Sequence, residues 1–149
     1  MLPSELALRD LLNEGTPEPA DIGWFVARQP GIVGFLERAL GPTDPFAVAL
    51  EGAYLLCKEM ERRTGVPPAR LTGSLLERAH AAAQTEARAS RSPGSDGLAA
   101  RQPELTAWVV DFVAFTAIPL TEREAAAASA CLAAIVYALD EVVTGRPVP

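Results

Sequence analysis

The chain is poor in the residues that most often carry chemistry. It holds two cysteines and one histidine in 149 residues. Two cysteines cannot build a disulfide scaffold or a multi-cysteine zinc site, and a lone histidine cannot furnish a histidine-rich metal site within one chain. Lysine occurs once, at Lys58, so arginine supplies the remaining cations. Thirteen cations face 19 carboxylates, and the formal net charge of -6 argues against nonspecific binding to nucleic acid or anionic lipid. Long hydrophobic runs are missing as well. The longest spans 125–139 and is interrupted by Ser129 and Cys131; a membrane span needs about 20 residues. Period-two alternation of β-branched residues is scarce, which leaves no clean strand.

What is abundant points one way. Alanine and leucine dominate a composition that is 49% hydrophobic and 21% charged, which excludes disorder and favours helix. The 13 prolines and 11 glycines fall mostly between apolar-periodic runs and act as punctuation. Seven helices are predicted: 4–15, 22–29, 30–40, 43–64, 69–89, 103–118 and 122–143. Ser4 caps the first and Gly15 stops it. Pro30 and Pro103 each open a helix from its first position, where the missing N–H costs nothing. Thr43-Asp44-Pro45 starts a long helix that Gly65 ends. Thr121-Glu122-Arg123-Glu124 reads as a capping box for another, closed by Gly145. The polar stretch 90–97 carries no apolar anchor and reads as a flexible linker.

The word Ala-Arg-Gln-Pro occurs twice, at 27–30 and 100–103. After the first copy the apolar residues are Ile32, Phe35, Leu36, Ala39 and Leu40. After the second, Leu105, Trp108, Val109, Phe112 and Val113 stand at the same offsets. Each copy leads into a long helix ending in Thr-Gly. The expected architecture is therefore all-α: one domain over 1–149, a bundle of six to seven helices, built from two related three-helix units (20–65 and 96–145) in a pseudo-two-fold arrangement. Gln29 and Gln102 are expected to satisfy free amides at the helix starts that follow them.

Three functional readings compete. The leading one is a non-enzymatic interaction or regulatory protein of the cytoplasm that self-associates as a homodimer. The last helix, apolar on most sides through Ala126, Ala130, Ala133 and Tyr137, would be its seam. The cytoplasmic assignment rests on two unpaired thiols and on an opening, Met1-Leu2-Pro3-Ser4-Glu5, that lacks the positive start of a signal peptide. The second reading is a binder of a small apolar or anionic ligand within the helical bundle. Its candidate residues are Trp24, in a short helix between breakers, and the paired Arg28 and Arg101 beside helix starts. The third is a metal-dependent enzyme using Glu51 with the Glu-x-x-His word of Glu77 and His80, a pattern found in di-iron bundles. Arg62, Arg63 and Arg70 cluster near a helix junction, but interleaved acids argue against a nucleic-acid surface. No cofactor, nucleic-acid or membrane partner is expected.

Overall fold

The computed structural model describes residues 19–88 and 97–149. The predicted helix 4–15, and all of the predicted linker except Gly97, lie outside the described residues. The described chain is all-helical, with 79% of residues in helix and no strand among them. In chain order the helices are α1 (Pro19–Arg28), α2 (Pro30–Leu40), α3 (Asp44–Thr64), α4 (Gly73–Arg88), α5 (Leu98–Arg101), α6 (Pro103–Ala114) and α7 (Glu122–Thr144).

Local chemistry explains most of the boundaries. Pro30 and Pro103 open α2 and α6 from the first turn. Thr121 Oγ1 accepts from the Glu124 amide, and the Glu124 carboxylate accepts from the Thr121 amide, so the capping box forms at the start of α7. Gly65 and Gly145 adopt the left-handed conformation that ends α3 and α7, with φ of 82° and 78°. Three boundaries differ from expectation. Helix α1 begins at Pro19 rather than Ile22. Helix α4 begins at Gly73 rather than near residue 69, because Thr72 caps it through its hydroxyl to the Leu75 amide. Leu71 is buried from the preceding irregular strap, not from the helix. Helix α6 stops at Ala114, well before Pro119, and a short turn, α5, precedes the second Gln-Pro joint.

The 23-residue α7 is central: α3, α4 and α6 pack around it, with α2 and α5 at its margins. Ile135, Leu132, Leu139 and Tyr137 are sealed from solvent. Gly52 lets α3 approach closely, since a Cβ there would lie 2.8 Å from Leu132. Helix α7 is also the one described helix long and apolar enough to cross a membrane; a central core helix meets the same test. Ala130 and Ala133 on the expected dimer seam are half-buried and Tyr137 is buried within the chain, leaving Ala126 exposed.

The two Ala-Arg-Gln-Pro joints match in local geometry. Gln29 has φ, ψ of -125°, 60° and Gln102 of -138°, 69°. Their amides donate to the carbonyls of Phe25 and Leu98, both buried. Thr64 and Thr144 each bond back to the carbonyl four residues earlier. The joints differ in what the glutamine side chains do. Neither makes the expected cap bond to the helix that follows it.

Candidate functional site

A cleft of about 160 Å³ lies between α1, α3 and the strap that follows α3. One face of α1 supplies Asp21, Trp24, Phe25 and Arg28, at offsets of zero, three, four and seven. The facing stripe of α3 supplies Tyr54, Cys57, Lys58 and Glu61 at the same offsets, and Pro67 and Pro68 form the remaining wall. The floor is apolar: Phe25 is buried and meets the edge of Tyr54, with ring centroids 5.8 Å apart. The mouth is aromatic and charged. Trp24 is 56% exposed, and the Arg28 guanidinium lies over its ring at 4.7 Å from the centroid. Lys58 lies over Tyr54 at 5.7 Å. Among the described residues, neither cation has an ion pair.

Gln29 holds the proline wall in place. Its Nε2 donates to the Ala69 carbonyl at 3.0 Å, and its Oε1 accepts from the buried Leu71 amide at 3.0 Å. Gly31 makes room for the strap, since a Cβ there would lie 2.1 Å from the Leu71 carbonyl oxygen. The glutamine of the first joint thus positions a cleft wall 39 to 42 residues further along the chain.

Arg101 sits in a different setting from its counterpart. It donates to the Pro147 carbonyl at 2.9 Å and lies 3.5 Å from Asp140, which is buried. Asp140 also accepts from Gln102 at 2.9 Å and from Arg146 at 3.2 Å. The place an external anion would take beside Arg101 is occupied by the chain's own carboxylate. Buried Glu59 pairs with Arg62 and Arg63, and Arg63 reaches Glu104, so two of the three clustered arginines are taken up within the fold. Of the predicted ligand-binding residues, Trp24 and Arg28 meet at the cleft and Arg101 does not line it.

The metal-ligand reading loses its geometry. Glu77 turns to Arg38 at 3.4 Å, and His80 packs edge-on against Phe35 with centroids 5.2 Å apart. Burial holds the His80 imidazole below its ordinary value, partly offset by Glu77, and burial raises the Glu51 carboxyl. No three metal-capable side chains come together among the described residues, so Glu51, Glu77 and His80 do not form a ligand set. The thiols are equally unsuited to nucleophilic chemistry. Burial, then the neighbouring Glu61, pushes Cys57 up to about 12; burial, then Glu77, does the same to Cys131.

Sequence reasoning missed Tyr54, Lys58 and the proline pair as partners of Trp24. The available signal was the stripe Tyr54-Cys57-Lys58-Glu61, where a charged edge borders the apolar face of α3. It also missed Glu86, whose carboxylate accepts from the Leu98 amide and from the Tyr137 hydroxyl, joining α4 to the start of α5 and to α7. Comparisons with family models, with curated proteins and with solved structures found no match to this chain, so the cleft is read from its own geometry.

Proposed function

We propose that the chain is a non-enzymatic interaction protein of the cytoplasm whose recognition site is the cleft between α1, α3 and the proline strap. The observation that carries this reading is Trp24, an exposed indole with an arginine over it that has no ion pair among the described residues, at the mouth of a socket with an apolar floor. Tryptophan and arginine are the residues that most often dominate interfaces. Volume favours a partner's side chain over a free ligand: sites for small molecules run to about 300–1,000 Å³, whereas this socket holds about 160 Å³. The high thiol values and the scattered Glu51, Glu77 and His80 weigh against an enzyme.

The internal repeat belongs to the same proposal. Matched joints and matched helix ends support two related units, in which the first joint has acquired a cleft and the second a buried charge cluster. A crystal structure in which α2 on α3 and α6 on α7 cross at unrelated angles would end that relation.

Peptide display tests the site. Wild type is expected to enrich short segments carrying one aromatic or large aliphatic anchor. A Trp24→Ala/Arg28→Glu double variant, shown to unfold at the wild-type urea midpoint, should not. Equal enrichment on both proteins, or none on either at concentrations where the chain is monomeric, removes the cleft as a recognition site.

A further inference from the structure

Phe115 is the counterpart of the cleft: a ring without a socket. It sits at the end of α6 and is 82% exposed, the most exposed large apolar side chain among the described residues. Phe25, Phe35 and Phe112 are all buried. Val110, at the other edge of the exposed arc of α6, is 62% exposed, and Ala107 and Ala114 are exposed between it and Phe115. Large apolar groups clustered at the surface mark an interface.

We propose that Phe115 of a second copy of this chain fills the cleft, each copy lending its ring to the other in a closed two-fold dimer. The inference rests on the reading of the cleft as a side-chain socket and names its occupant. Size agrees: a cavity of about 150 Å³ is enough to hold a benzene ring, and this socket offers about 160 Å³. The cleft carries two cations, Arg28 and Lys58, and two acids, Asp21 and Glu61, so charge selects at Arg28 rather than over the cleft as a whole. Asp111, exposed one helical turn before Phe115, enters beside the ring. The Arg28 guanidinium lies over the Trp24 ring and has no ion pair among the described residues, so its N–H groups are open to a carboxylate, which arginine can hold in two parallel bonds. Closure follows from stability of form. A one-way insertion leaves a free ring at one end and a free socket at the other and grows without limit, whereas reciprocal exchange satisfies both at two subunits.

The test uses the full chain with Trp108→Phe, which leaves Trp24 as the sole indole. Light scattering across the micromolar range should give twice the 15.7 kDa chain mass, and Trp24 emission should shift to the red on dilution. Phe115→Asp should weaken dimerisation by about 30-fold or more, the scale of a hot-spot loss. Arg28→Glu should weaken it too, and Asp111→Arg on the Arg28→Glu background should restore it. A monomeric wild type, open-ended growth, or a dimer indifferent to Phe115→Asp overturns the proposal. So does a monomer whose unfolding midpoint falls with Phe115→Asp, because the ring then packs within its own chain. If wild type is monomeric and yet enriches peptides through Trp24 and Arg28, the socket stands and only the occupant named here is wrong.

Discussion

Replacing Gln29 should cost far more than a polar residue in a helix joint normally does. The side chain is 4% exposed and makes two bonds of 3.0 Å to backbone on the strap after α3. Gln29→Met keeps the length and most of the volume and removes both bonds. The Ala69 carbonyl belongs to an exposed residue and regains water, so its share is small. The Leu71 amide belongs to a buried residue and has no route to solvent. Leaving such a donor unsatisfied costs about 1–3 kcal/mol, and the lost carbonyl bond adds about 0.5–1 kcal/mol. The expected destabilisation is roughly 1.5–4 kcal/mol, read as a lowered urea midpoint at unchanged slope. Gln29→Ala should cost somewhat more, since it also opens a cavity. The strap should loosen in parallel, which native-state hydrogen exchange at the Leu71 amide reports directly. A loss below about 0.5 kcal/mol for Gln29→Met, with Leu71 still protected, would show that the strap holds itself and that the joint does not position the cleft wall.

Four further outcomes are expected. Leu56→Ala and Ile135→Ala, each emptying a sealed core position, should cost about 2–5 kcal/mol in urea unfolding; surface-scale values would misplace the core. Asp140→Ala removes the buried carboxylate that Arg101, Gln102 and Arg146 share and should cost about 1–3 kcal/mol, the scale for lost charge-assisted hydrogen bonds; a neutral result would mean the cluster is solvated. Both thiols should resist a disulfide reagent in the native protein at pH 8 and react once urea unfolds it, because burial suppresses the thiolate; rapid native labelling would contradict their burial. Stability should fall on acidification through the histidine range. His80 is held below its ordinary value in the fold, so the unfolded chain binds its proton more tightly. The contribution is intact above about pH 6.5 and is lost as the pH drops through the lowered folded value. The difference between wild type and His80→Gln isolates this term, and identical pH profiles would refute it.

Much of the architecture was legible in the sequence because it depends on neighbours a few residues apart. Helix type follows from alanine and leucine content and from apolar spacing. Helix ends follow from Pro30, Pro103, Gly65, Gly145 and the Thr121–Glu124 box, each acting within one turn. Even the sealing of Leu56 and Ile135 was readable from a single helix face. Failures began where a side chain chose between a near and a far partner. Gln29 and Gln102 could each have capped the next helix; Gln29 instead bonds 42 residues ahead to Leu71, and Gln102 bonds 38 residues ahead to Asp140. The same choice separated Arg28 from Arg101, identical in their local word. Asp140 on α7 occupies Arg101, while Arg28 lies over the Trp24 ring and has no ion pair among the described residues, so one is buried and paired and the other stands at the mouth of a cleft. Glu77 and His80 share a helix turn, but Arg38 and Phe35 on α2 draw them to different contacts. A repeated word specifies a repeated backbone because torsions and caps are local. What its side chains do is decided by whichever long helix or strap the packing brings against them, and that depends on residues tens of positions away.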